Sequence, residues 1–141
     1  MRSRCAIVVI CLVLGAYGQA LAHGTEKHGK AAPADAQMKK MHDMMPMFSL
    51  ASARLETSLE KGDTAAVESE ADKMIAAIPD LKKSKPHKNI KQRKEFVELA
   101  TKMERYLIST VESAKNGDLA AAKTAFKKVE EICAACHAKF R

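Results

Sequence analysis

Apolar positions along most of the chain recur at alternating spacings of three and four residues, the pattern of amphipathic α-helices. The first predicted helix covers residues 35–61, and Gly62 ends it. Pro46 inside this helix predicts either a kink or a first regular turn that begins near Asp43. The predicted core-facing seam of the helix consists of Met38, Met41, Met45, Phe48, Ser52, Leu55 and Leu59.

Three further helices follow from the same periodicity. The second carries Val67, Ala71, Met74 and Ile78 and is predicted to end before Pro79, where "PDLKKSKPHKN" forms a longer connection. The third covers about residues 90–116 and buries Phe96, Ala100, Met103, Leu107 and either Thr110 or Val111. The fourth has a seam of Leu119, Ala122, Phe126, Val129, Cys133, Cys136 and Phe140.

An internal repeat organises these helices into pairs. "KGDTAAVESEADKM" and "NGDLAAAKTAFKKV" align without a gap, and each contains a Gly-Asp step that ends one helix and caps the next. Two helical hairpins joined by the proline-containing connection predict an all-α fold, an antiparallel up-down four-helix bundle.

The N-terminus has the pattern of a cleaved export signal. "MRSR" is basic, "CAIVVICLVLGAYG" is apolar but short for a membrane span, and "QALA" ends in small residues. We therefore predict a signal peptide over residues 1–22, a polar flexible leader over 23–34, and the bundle domain over 35–141. This organisation predicts a periplasmic protein with no transmembrane segment after signal cleavage.

Charge narrows the classes of partner. Removal of Arg2 and Arg4 with the signal leaves a net charge of about +5, which favours acidic protein partners or a membrane surface through electrostatic steering. The lysines are scattered and aromatic residues are few, so the sequence does not favour nucleic-acid binding. We find no nucleophile or acid–base pair in the sequence that would indicate catalysis, so we expect a protein without enzymatic activity.

The segment "EICAACHAKFR" carries the main chemical signal. Cys133, Cys136 and His137 form C-x-x-C-H, the pattern for covalent attachment of a c-type haem. Two thiols add to the two vinyl groups of the porphyrin while the adjacent imidazole reaches the iron. Two other interpretations of the motif are less favoured. A zinc site would need further ligands at suitable spacing, and a redox dithiol would need a βαβ context, which this sequence does not predict. Because both cysteines lie on the predicted core seam, the haem is expected inside the bundle.

"CAACHAKFR" at the end of a four-helix chain resembles the cytochrome c′ family, including its low-spin six-coordinate relatives. The likeness covers nearly the whole predicted mature chain, and "KPHKNIKQRKEF" is similar to the family's loop into the third helix, although the usual tryptophan is absent. The resemblance implies one haem c, thioether bonds to Cys133 and Cys136, His137 as proximal ligand and Arg141 near the haem. It also implies a distal position on the first helix and suggests a homodimer through the first two helices.

The segment "MKKMHDMMPMF" supplies candidates for that distal position. His137 lies 19 positions beyond Asp118, a climb of about 28 Å at roughly 1.5 Å per residue, and the same climb back from Lys61 reaches residue 42. Helical side chains lean toward their own N-terminus, which favours a residue slightly beyond 42. Met45 fits this level and the predicted seam, so it is the preferred sixth ligand.

Other residues are also candidates for the sixth iron ligand or for a separate metal site. Met41 and Met44 fall within the error of the count, and His42 competes as a second imidazole. The remaining methionines are interpreted as packing. A Cu(I) site in the methionine cluster is a rival metal site, because thioethers select soft metals. His87 in the basic loop is interpreted as exposed or as a contact of the haem edge, and a direct metal role for it is a less favoured alternative.

Three functions are compatible with this pattern. The preferred one is a periplasmic monohaem electron carrier, because His–Met ligation closes both axial positions of the iron. The alternatives are a five-coordinate protein that binds NO or CO, which needs a vacant distal side, and a methionine-rich copper-binding protein.

Overall fold

The computed structural model describes residues 36–141, with side chains from residue 38 onward. Four α-helices follow one another: α1 (Ala36–Lys61), α2 (Thr64–Lys83), α3 (Arg93–Lys115) and α4 (Leu119–Phe140). A short 3-10 helix (Ile90–Gln92) precedes α3, and the described part of the chain contains no strand. The predicted all-α four-helix bundle is confirmed. The predicted signal peptide, its cleavage site and the leader lie outside the described residues.

Two Gly-Asp turns connect the helices at one end of the bundle. Gly62 and Gly117 have left-handed φ angles of 70° and 79°, which glycine adopts without steric cost. The side chains of Asp63 and Asp118 then accept hydrogen bonds from the backbone N–H groups of Ala66 and Ala121. Each carboxylate satisfies a backbone donor in the first turn of its helix. Both predicted stop-and-cap signals are therefore confirmed.

The core lies along the facing seams of all four helices. Leu55, Met74, Leu107 and Val129 represent the four helices among its fully buried side chains. α1 packs chiefly on α2, α2 also packs on α3, and α3 packs on α4, whereas α1 and α4 share a smaller contact. A Cβ atom on Gly62 would meet the Leu119 side chain at 3.2 Å, so the α1–α2 turn lies against the start of α4. This contact agrees with the predicted up-down order.

Two proline predictions need correction. α1 runs through Pro46 as one continuous helix, so a late start near Asp43 is wrong. α2 continues past Pro79 to Lys83, so the predicted end before this proline is also wrong. Continuation buries Leu81, and the N–H of Ser84 donates to the carbonyls of Asp80 and Leu81. Burial and capping beyond the proline stabilise a helix that local propensity alone would end.

Among the residues that the structure describes, no helix combines the length and the apolar character needed to cross a membrane.

Candidate functional site

The two cysteines of the C-x-x-C-H motif lie on the last three turns of α4. Both thiols are half-buried and pack against the core, and neither is part of a disulfide. The Cys133 Sγ–H donates a weak hydrogen bond to the Met103 sulfur on α3, at 3.8 Å. The predicted orientation of the cysteines toward the bundle interior is therefore confirmed.

Burial keeps these thiols protonated. It raises the pKa of Cys133, with a further contribution from the Glu130 carboxylate. Burial, followed by the neighbouring Cys133, raises the pKa of Cys136 to about 11. Thiolates are the reactive form in dithiol exchange, and reactive cysteines have lowered pKa values. These surroundings do not favour a redox dithiol, the competing interpretation of the motif.

His137 lies beside the seam, and its side chain is exposed. Its backbone carbonyl accepts a hydrogen bond from the Arg141 N–H at 3.2 Å, so helical hydrogen bonding continues to the last residue. One turn later, the buried Phe140 ring packs edge-on against Phe96 of α3, with ring centroids 5.3 Å apart. The imidazole is thus carried on a backbone that is fixed from the core side.

The loop between α2 and α3 fixes the same turn from outside. The N–H groups of His87 and Lys88 both donate to the Phe140 carbonyl, at 3.1 and 3.2 Å. The Asn89 amide donates to the Lys139 carbonyl at 2.7 Å. These contacts satisfy carbonyls that a helix end leaves without intrahelical partners. The Lys139 ammonium also pairs with the Glu95 carboxylate at 2.6 Å, which links α4 to the start of α3.

The methionine-rich part of α1 is rotated relative to the predicted seam. Met41 and Met44 are buried, with 8% and 9% of their surface exposed, whereas Met45 is half-buried. Further along, Ala51 is buried and Ser52 only partly so. The predicted seam contained Met45 and Ser52, whereas the structure buries their neighbours Met44 and Ala51 and leaves Met45 and Ser52 partly buried at its border. Spacings of three and four leave such a rotation open, because adjacent choices differ by one residue.

Contacts on both sides of α1 show which neighbour each methionine approaches. The Lys40 ammonium pairs with Asp80 of α2 at 2.8 Å, so Lys40 marks the flank that faces α2. His42 marks the opposite flank, because its Nε2 lies 2.6 Å from Nε2 of His87, in the loop that holds the end of α4. At 100° per residue, Met44 follows the Lys40 flank and Met45 follows the His42 flank. Met45 therefore lies at the border of the buried face of α1, on the side that faces the α4 terminus.

These residues suit a c-type haem. Two unpaired thiols face the interior at the spacing that haem attachment uses, and an imidazole follows them directly. Thioethers of Met41, Met44 and Met45 lie on α1, which shares a smaller contact with α4 than α3 does. Within residues 36–141, no three His, Cys, Asp or Glu side chains cluster in a way that could hold a metal ion. The two thiols and the adjacent imidazole supply the donor set that c-type haem attachment uses.

Two contacts were not predicted from the sequence. The imidazoles of His42 and His87 meet although they lie 45 positions apart. Met103 was predicted as core, but its sulfur contact with Cys133 was not. Neither pair has a local sequence signal, because each joins elements that only the tertiary fold brings together. Arg141, predicted near the haem, is exposed beside His137 at the helix end.

The family model described as Cytochrome C' matches residues 76–141, which include the α2–α3 loop, α3 and the complete C-x-x-C-H motif. This match confirms the predicted resemblance to the cytochrome c′ family. The matched part of the chain, which includes the C-x-x-C-H motif, is thus similar to a family of cytochromes. Searches of curated proteins and of solved structures found no significant match.

Proposed function

We propose that this chain, which matches the cytochrome c′ family over its C-terminal half, is a periplasmic monohaem cytochrome that transfers electrons. The observation that carries the proposal is the pair of half-buried, unpaired thiols followed by His137 on a firmly held helix end. The haem, when bound, supplies a one-electron redox centre.

Each motif residue has a distinct role in this proposal. Cys133 and Cys136 would hold the haem through thioether bonds, and both thiols pack against the core side of α4. His137 is the proximal ligand. The hydrogen bonds to the Phe140 and Lys139 carbonyls hold the backbone that carries this imidazole, which limits movement of the ligand between oxidation states.

Met45 is the proposed distal ligand. It borders the core on the flank of α1 that also carries His42, near the loop that contacts the end of α4. Met41 and Met44 are more deeply buried and are proposed to pack around the macrocycle. A thioether bound to the iron would exclude exogenous ligands and would raise the reduction potential, which suits electron transfer.

Surface charge near the motif suits an acidic redox partner. Lys88, Lys91 and Lys94 are exposed on the loop and on the following turns, close in sequence to the residues that contact the α4 terminus. Such charges accelerate encounter with an acidic protein surface and lose their effect as salt screens them. We therefore propose that redox partners bind transiently and that their binding weakens as the salt concentration rises. The proposal assigns the protein no catalytic role.

One optical experiment tests the function. The full chain is expressed with its own N-terminus in a host that exports and matures c-type cytochromes, and the periplasmic fraction is purified. We expect haem that survives denaturing electrophoresis and a low-spin spectrum, with a thioether–iron charge-transfer band in the oxidised protein. A high-spin spectrum that responds to CO or NO would instead establish the gas-binding function. A protein without haem would reject both.

A further inference from the structure

We infer that His42 and His87 form a binding site for a divalent transition metal of the zinc–copper class, separate from the C-x-x-C-H motif. The two Nε2 atoms lie 2.6 Å apart, and the ring centroids lie 4.6 Å apart with the planes tilted by 56°. Each ring therefore directs the same nitrogen toward one point between α1 and the α2–α3 loop. This inference does not depend on the proposed electron-transfer function.

Both imidazoles are accessible and their backbones are held. The side chains are exposed, so an ion reaches them from solvent without opening the core. His42 lies within α1, and His87 follows the buried Pro86 and donates its N–H to the Phe140 carbonyl. A site assembled from two held backbones loses little conformational entropy when an ion binds.

The spacing suits coordination after a small side-chain adjustment. Metal–imidazole distances of about 2.0–2.1 Å require the two nitrogens to be roughly 2.9 Å apart for a right-angle arrangement and about 3.3 Å apart for a tetrahedral one. The observed separation is shorter by less than an ångström, the change that a rotation of either exposed ring provides. In the metal-free structure the two Nε2 atoms are within hydrogen-bond distance of each other, and the tautomers of the rings decide which one donates.

The chemistry of the site selects the metal. Neutral imidazole nitrogens suit zinc, copper and nickel, whereas calcium and magnesium require oxygen ligands. The nearest carboxylate in sequence, Asp43, is paired with Lys39 at 2.7 Å and is not needed as a ligand. Two protein ligands leave the remaining coordination positions to water. This arrangement gives a moderate-affinity, exchangeable site in a basic part of the surface.

Occupancy of this site joins distant parts of the bundle. The metal would link α1 to the loop whose backbone holds the last turn of α4. A ligand that binds only the folded chain stabilises it. The bound ion is therefore expected to raise the melting temperature and to stiffen the segment behind His137.

Zinc titration of the haem-loaded protein, purified without a histidine tag, tests the inference. We expect one Zn²⁺ per chain by calorimetry and a melting temperature raised by a few degrees. His42→Gln and His87→Gln are each expected to lower zinc affinity by at least about tenfold, because each removes one of two ligands. His23→Gln/His28→Gln is the matched control, since it removes two other histidines and is expected to leave the affinity unchanged.

Copper provides a readout that does not depend on the variants. Electron paramagnetic resonance of the Cu²⁺-loaded protein is expected to show coupling to two imidazole nitrogens, and an unchanged haem absorption spectrum is expected on metal addition. Unchanged zinc affinity in His42→Gln and His87→Gln would overturn the inference. Loss of zinc binding in His23→Gln/His28→Gln, or copper coupled to fewer than two nitrogens, would also overturn it.

Discussion

The backbone N–H of His87 donates to the carbonyl of Phe140 at 3.1 Å, which ties the α2–α3 loop to the last turn of α4. The contact bridges two segments that are distant in sequence and lies three residues beyond His137. Because the proposed proximal ligand is carried on this turn, the loop contributes to the site without supplying an iron ligand. The geometry of the loop should therefore affect both stability and the haem environment.

Asn89→Ala should destabilise the protein by about 1–2 kcal/mol. Asn89 has a left-handed φ of 54°, which costs an alanine roughly 1 kcal/mol, and its amide hydrogen bond to the Lys139 carbonyl is also lost. Asn89→Gly is the control, because glycine accepts this φ and loses only the hydrogen bond. Urea unfolding should rank alanine below glycine, and equal stabilities would contradict the backbone argument.

Met45→Ala should convert the haem from low spin to high spin, because alanine offers no sixth ligand. Met44→Ala is the matched control, since Met44 lies on the α2 flank of α1 and is proposed to pack only. Optical and paramagnetic resonance spectra of both purified proteins report the spin state directly.

The same pair of variants separates the ligand candidates. A low-spin Met45→Ala protein would reject Met45 as the ligand. Conversion in Met44→Ala, Met41→Ala or His42→Ala alone would then identify the residue that binds the iron.

Cys133→Ala/Cys136→Ala should lose covalently held haem, because no thioether bond can form. Each single variant should retain one bond and one free vinyl group, which shifts the reduced pyridine haemochrome to longer wavelength. Met103→Leu is the control, since it removes the sulfur beside Cys133 but keeps both thiols. Haem that stays with the double variant through denaturing electrophoresis would contradict attachment through this motif.

Asp118→Ala should lower the free energy of unfolding by about 0.5–2 kcal/mol. Its carboxylate accepts from the Ala121 N–H at 2.8 Å at the start of α4, and alanine leaves that donor without a protein partner. Asp118→Asn retains an acceptor and should lose much less. An asparagine variant as unstable as the alanine variant would show that charge, rather than capping, stabilises this turn.

Leu107→Ala should cost about 2–5 kcal/mol, because its fully buried side chain would leave a cavity in the centre of α3. Ile108→Ala removes a similar volume from the next residue, which is 42% exposed, and should change stability by no more than about 0.5 kcal/mol. Thermal or urea unfolding compares the two variants. Similar losses would mean that the face of α3 toward the core is assigned incorrectly.

The helix boundaries were largely predictable because their signals are local. α1 and α3 end within a residue of the predicted Lys61 and Asn116, and both Gly-Asp turns have the predicted conformation. The core of α3 was predicted almost completely, with Thr110 rather than Val111 in the buried position. A glycine in the left-handed region and an aspartate cap act on adjacent residues, so the turns they form can be predicted from the sequence.

Errors arose where distant packing overrode a local signal. Pro79 predicts a helix end, yet burial of Leu81 carries α2 onward. Near the site, helical periodicity allowed either Met44 or Met45 as the seam centre, and packing of α1 against α2 selected Met44. A three-and-four pattern does not distinguish two adjacent residues, so it could not select between Met44 and Met45.

Periodicity, caps and motif spacing involve neighbouring residues, so the four helices, their pairing into hairpins and the C-x-x-C-H motif of α4 could be predicted from the amino-acid sequence. The rotation of α1, the contact of the α2–α3 loop with the α4 terminus, and the contact between His42 and His87 became visible in the folded chain. Those features depend on packing and hydrogen bonds between segments far apart in the chain, which no local pattern specifies.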